Sequence, residues 1–109
     1  MAAVHHLGLD SHPQAALVRS QMLSTGSMLS FEVAGGLEAA RRVHDGVALL
    51  RRATSLGGTE TLLCHPASTT HVSLSEDDRR AIGVTDGLLR VSVGLEDVDD
   101  LWGDLSPLL

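Results

Sequence analysis

Eight basic residues occur in this chain and all are arginines: Arg19, Arg41, Arg42, Arg51, Arg52, Arg79, Arg80 and Arg90. With no lysine, a Schiff base through an amine side chain of this polypeptide is ruled out. Arg90 is distinguished by its setting, the apolar run Leu88–Gly94 (LLRVSVG). Period two places Leu89, Val91 and Val93 on one face of such a strand, and Leu88, Arg90 and Ser92 on the other. A guanidinium cannot be neutralised in a protein, so its burial calls for a carboxylate or phosphate partner. Asp86, Glu96 and Asp97 are the internal candidates, and a bound ligand is the alternative.

Other chemistry is poorly supported by spacing. His5 and His6 are adjacent and point to opposite faces of a strand. His65 and His71 are separated by Pro66 and a polar loop, with Cys64 facing away from His65, and no pair matches C-x₂-C or H-x₃-H. No metal site is expected. Ser55, Ser68 and Ser73 lie near His65 and His71, but no Gly-x-Ser-x-Gly elbow precedes a helix, so a polar surface loop is the better reading. Gly57-Gly58 reads as a turn, because a strand and not a helix follows it.

The elements that must position these residues follow from periodicity and punctuation. Ala3–Leu9 is an opening strand. Ser11-His12-Pro13-Gln14 starts a helix, with Ser11 as cap and an inner stripe of Ala15, Val18 and Met22. Met28–Val33 alternates as a strand, with Leu29, Phe31 and Val33 on one face. Gly35-Gly36 breaks it, and Leu37–Ala53 is expected to be the longest helix. Its buried face is Leu37, Ala40, Val43, Val47 and Leu50; Glu38 pairs with Arg41 and Arg42, and Arg51 and Arg52 fall in the last turn. A strand Glu60–Cys64 ends at His65-Pro66. Ser75 caps a short helix closed by Gly83, and Asp97 or Glu96 starts a final helix with Leu101, Trp102 and Leu105. The order predicts an α+β fold: a small, mostly antiparallel sheet of about four strands covered by helices. Leu29, Phe31, Val43, Val47, Leu89, Val91 and Val93 are expected to share its core.

At 109 residues, 43% apolar and 20% charged, the chain is expected to form one globular domain, residues 1–109. The net charge of −6 argues against nucleic-acid or anionic-membrane partners. No apolar run is long enough for a membrane span, and Met1–Asp10 lacks the form of a signal peptide. Cys64 is the sole cysteine, so no internal disulfide forms, and a cytoplasmic setting is expected.

Three stretches then combine: Thr54-Ser55-Leu56-Gly57-Gly58-Thr59-Glu60, Cys64-His65-Pro66-Ala67-Ser68-Thr69-Thr70-His71, and Leu88–Asp97. With Gly8-Leu9-Asp10-Ser11-His12-Pro13 and Met28-Leu29-Ser30-Phe31-Glu32 upstream, the chain closely resembles a known domain. It is the C-terminal, small domain of the pyridoxal-phosphate-dependent enzymes of cysteine and methionine metabolism, the transsulfuration family of fold type I.

The resemblance implies that Arg90 grips the α-carboxylate of an amino-acid substrate and that Ser55 contributes to the same site. Thr54 falls at a specificity position, and Leu56 and Thr70 lie near it. It also implies that the chemistry is γ-elimination or γ-replacement on cystathionine, methionine or a homoserine ester. Pyridoxal phosphate would be bound by a large domain absent from this chain, and the family forms homo-oligomers, commonly tetramers. The chain departs from the family in having no lysine and no tyrosine, so no catalytic residue and no bound cofactor are expected in it, and on its own it is expected to be inactive. A free-standing, non-catalytic dimerisation or interaction module derived from that domain is the alternative.

Overall fold

The structure is a computed structural model that describes all residues, Met1–Leu109. Nine regular elements form it: β1 (Ala3–His5), α1 (Ala15–Gln21), β2 (Met28–Glu32), α2 (Gly36–Gly46), β3 (Arg51–Arg52), β4 (Leu62–Cys64), α3 (Glu76–Ala81), β5 (Leu88–Ser92) and α4 (Val98–Leu105). Single helical turns follow at Pro66–Ser68 and Ser106–Leu108. The fold is α+β. Its one sheet has five strands in the order β1-β2-β5-β4-β3, antiparallel except for the β3–β4 edge pair. The expected four long runs are all present as strands; the fifth, β3, is an edge of two residues.

Register sorts the side chains. Leu29 and Leu63 oppose Val91, and Phe31 opposes Leu89, so these share a face. That face buries against Ala39, Ala40 and Val43 of α2, with Leu101 and Leu105 of α4 packed at the margin. Phe31, Val43, Leu63 and Leu89 are almost inaccessible to solvent. The expected core is therefore present, with Leu29 and Val93 on its half-buried edge. Met28, Ser30, Leu62, Cys64, Arg90 and Ser92 occupy the opposite face by the same pairing.

Several expectations are corrected. First, the long helix does not run from Leu37 to Ala53; α2 ends at Gly46 and Val47 is already extended. Continuing the helix would send the N–H groups of Ala48, Leu49 and Leu50 to carbonyls four residues back. They donate instead to the Asp104 carboxylate of α4, at 2.9, 2.8 and 3.1 Å. Val47 and Leu50 are still buried, but from an irregular segment whose spacing imitates a helical stripe. Second, Arg51 and Arg52 consequently lie on β3 and not on a helix end. Arg51 pairs with Glu60 at 3.6 Å, and Arg52 donates to the Asp45 carbonyl at 3.2 Å. Third, Ser11 does not cap α1. The Gln14 N–H donates to His12 Nδ1 at 3.1 Å, and Met22 is exposed just past the helix. Glu38 forms no ion pair with Arg41 or Arg42, and Leu37, expected on the buried face, lies exposed in the first turn of α2.

The other caps are as expected. Ser75 Oγ accepts the Asp78 N–H at 3.2 Å, and Asp97 Oδ1 accepts the Asp99 N–H at 2.9 Å. Gly35 enters α2 at φ +106°, a conformation that a Cβ would strain.

Two measurements check this packing. Phe31→Ala is expected to lower unfolding free energy by about 3–5 kcal/mol in chemical denaturation; an unchanged midpoint would refute the core assignment. Asp104→Ala strips three backbone N–H groups of their acceptor and is expected to cost about 2–3 kcal/mol. Burial acts to raise the Asp104 carboxyl, but the Ala48, Leu50 and Leu49 N–H groups outweigh it and hold it below the usual carboxylate range. A depressed folded value means that the stabilisation is complete above the ordinary aspartate value, about 3.9. It is lost as pH falls through the lower folded value. Asp104→Asn should flatten stability against pH in that acid window.

Candidate functional site

The site is built on β5. Because side chains alternate, Arg90 and Ser92 leave the strand on the same face, and both reach the turn that precedes β4. Arg90 Nη2 donates to the carbonyls of Thr54 and Ser55 at 2.7 and 3.1 Å. Ser92 Oγ accepts the Gly57 N–H at 2.9 Å. The turn is thus held at both ends by residues two apart on one strand.

None of the three internal acid candidates pairs with Arg90. Asp86 bridges Arg79 at 2.8 Å. Glu96 accepts the Thr61 N–H at 2.7 Å and the Thr61 hydroxyl at 2.6 Å. Asp97 caps α4. Both hydrogen bonds of the Arg90 guanidinium come from Nη2, and Nε is buried with no partner. A guanidinium has five N–H donors, so those on Nε and Nη1 are uncommitted.

The other residues singled out are placed less closely. Thr54 and Ser55 meet Arg90 through their carbonyls, and their side chains make no hydrogen bond to it. Leu56, at the tip of the turn, is 57% exposed. Thr70 is exposed and its hydroxyl pairs with His71 Nδ1 at 2.8 Å, away from the guanidinium's hydrogen bonds. His65 is buried, with Nδ1 on Ser68 Oγ at 2.7 Å and Nε2 on the Asp86 carbonyl at 2.9 Å. Since a carbonyl only accepts, Nε2 carries the proton and Ser68 donates to Nδ1, an arrangement that ties the loop to the start of β5. No three His, Cys, Asp or Glu side chains converge where they could hold one metal ion.

Two site-supporting contacts escape the periodicity reading. Ser92 is one; its face was legible from alternation, its partner Gly57 was not. Glu96 with Thr61 is the other. Thr61 is buried, and its Oγ1 also accepts the Gly94 N–H at 2.8 Å. The Leu95 N–H donates to the Thr59 carbonyl at 2.9 Å. The chain passes so close here that a Cβ on Gly94 would stand 2.6 Å from the Glu60 carbonyl carbon. No sequence pattern marks a contact between segments so far apart in the chain.

An arginine poised in a strand, a Ser-Leu-Gly-Gly turn clasped to it and this mixed sheet define one class of protein. The family model for Cys/Met metabolism PLP-dependent enzymes matches residues 1–109, and the chain belongs to that family. L-methionine gamma-lyase of Pseudomonas putida is 47% identical over 106 residues, which are 97% of this chain and 27% of that protein. O-succinylhomoserine sulfhydrylase of Pseudomonas aeruginosa is 47% identical over 103 residues, 94% of this chain and 26% of that protein. Among solved structures, cystathionine gamma lyase from Micromonospora echinospora superposes with a TM-score of 0.92 at 44% identity, covering 99% of this chain and 28% of that one. Cystathionine gamma synthase from Xanthomonas oryzae pv. oryzae, in complex with aminoacrylate and cysteine, gives 0.89 at 44% identity, covering 97% and 27%. The chain therefore spans about a quarter of the length of the relatives it matches.

The family is pyridoxal-phosphate-dependent, but the residues of this chain do not fit as holders of that cofactor. The chain has no lysine amine to join to its aldehyde.

One pH effect follows from the clasp. The Thr61 hydroxyl and N–H hold the Glu96 carboxyl below the usual range. Its stabilisation is present above the ordinary glutamate value and is lost as pH falls through the folded one. The protection of the Thr61 and Gly94 backbone amides, relative to the intrinsic exchange rate at each pH, is therefore expected to fall in acid. Glu96→Gln should show that reduced protection already at neutral pH, whereas protection unchanged by the substitution would refute the clasp.

Proposed function

We propose that this chain supplies the substrate α-carboxylate clamp of a pyridoxal-phosphate enzyme acting by γ-elimination or γ-replacement. The substrates are sulfur amino acids or homoserine esters, in keeping with what the relatives' names say of those proteins. The cofactor's chemistry as an electron sink belongs to a lysine-bearing part that this chain does not contain.

The observation that carries the reading is the state of Arg90. Its charge is permanent, the nearby carboxylates are committed elsewhere, and its Nη1 group makes no hydrogen bond. A carboxylate brought to Nη1 would gain a charge-assisted hydrogen bond there, on a guanidinium whose orientation is already fixed. The Thr54 and Ser55 carbonyls keep the guanidinium in place without neutralising it. Ser55 thus acts on the clamp through its backbone, and its hydroxyl is available as a further donor. Thr54, whose carbonyl makes the shorter of the two bonds, is the position through which substitutions would tilt the clamp and alter substrate preference.

In an enzyme completed with the cofactor-bearing part, Arg90→Ala is expected to raise KM roughly a hundredfold or more, since a charged carboxylate loses its cationic hydrogen-bond partner. Arg90→Lys should recover only part of this, because an ammonium lacks the planar fork. An unaltered KM in Arg90→Ala would remove the reading. The 109-residue chain alone is expected to retain no pyridoxal-phosphate absorbance after dialysis.

A further inference from the structure

A cleft of about 180 Å³ opens beside Arg90, on the side towards β1 and β2. Its wall includes His5, His6, His12, Met28, Ser30 and Arg90, and none of its lining residues is acidic. Sheet register explains the gathering. His5 opposes Ser30 and Ser30 opposes Arg90, so the three form one row across β1, β2 and β5 on the face away from α2. Neighbouring strands lie about 4.8 Å apart, so this row spans on the order of 10 Å. The β1–α1 connection then folds His6 and His12 over its end.

The protonation pattern of this wall is set by backbone. The Gly8 N–H donates to His6 Nδ1 at 3.0 Å, and the Gln14 N–H donates to His12 Nδ1 at 3.1 Å. A ring nitrogen that accepts a hydrogen bond carries no proton, so each neutral imidazole is held as the Nε2–H tautomer, a donor at its other nitrogen. The cleft thus gathers two donor imidazoles, a hydroxyl, a third imidazole and a permanently charged guanidinium. We propose that this cleft is a subsite for a small oxyanion, a carboxylate or phosphate group, adjoining Arg90 on the side away from Ser55. Resting on the clamp reading for Arg90, it adds His5, His6, His12 and Ser30 as the groups that favour a ligand bearing a further anionic group.

Six histidines divide evenly for the test, since His44, His65 and His71 lie outside the cleft. The ring Cε1–H resonances of the 109-residue chain are followed by NMR at fixed pH and ionic strength, during titration with acetate, succinate and inorganic phosphate. Saturable shifts confined to His5, His6 and His12 are expected, and the better probe tells carboxylate from phosphate. Ser30→Ala and His12→Asn, the latter retaining an acceptor for the Gln14 N–H, should each weaken binding roughly fivefold or more. Unshifted resonances of His44, His65 and His71 report that each variant is folded. Shifts in all six rings alike, or none that saturate, overturn the proposal. If Arg90→Ala abolishes binding while Ser30→Ala and His12→Asn leave it intact, the subsite falls and the clamp stands. If Arg90→Ala also has no effect, both fall.

Discussion

A guanidinium that cannot shed its charge, set in a strand between buried neighbours, is the constraint around which this domain is arranged. Leu89 and Val91 on either side of it are core residues, which fixes the register of β5 and forces Arg90 onto the other face. There the charge is met by two carbonyl dipoles and no carboxylate. Carbonyls solvate a cation and hold it still, yet leave it able to bind an anion. A structural salt bridge would have discharged that capacity, which is why the commitments of Asp86, Glu96 and Asp97 matter as much as the position of Arg90 itself.

Those commitments show a second pattern. The chain is acidic, but its best-placed carboxylates meet N–H and hydroxyl groups more often than cations. Asp104 gathers the N–H groups of residues 48–50, Glu96 clasps Thr61, and Asp97 caps α4. Each satisfies backbone donors that irregular chain or a helix start would otherwise leave bare. Turns that carry no regular structure are thereby tied to α4 and to the end of β5. Arg90 meets irregular chain at Thr54 and Ser55, and these carboxylate contacts tie down the segments on either side of it.

Much of this was open to reading from one dimension. Strands at Met28–Val33 and Leu88–Gly94 show the alternation that a half-buried sheet imposes, and Arg90 and Ser92 share a face for that reason alone. Ser75 and Asp97 cap as their spacing implies, because capping is decided within three residues. The motifs around Ser55, His65 and Arg90 carried the family resemblance, which the family model and the solved structures bear out. The helix drawn to Ala53 shows the limit. Val47 and Leu50 sit at helical spacing and are buried, so periodicity cannot distinguish them from a helix; only Asp104, more than fifty residues further on, redirects their N–H groups.

What the sequence alone determined was local or periodic: which residues face the core, where helices start, and that one arginine would need an acceptor. Tertiary structure decided which groups answer that need. Hydrogen-bond partners of Arg90, Ser92, Thr61 and residues 48–50 lie some thirty to sixty positions away. Such pairings follow from how the sheet closes and leave no trace in spacing. The histidine-lined cleft arises in the same way, from register across three strands. Adjacency in sequence sets His5 and His6 on opposite sides of a strand; the bend after β1 is what brings both rings to one wall.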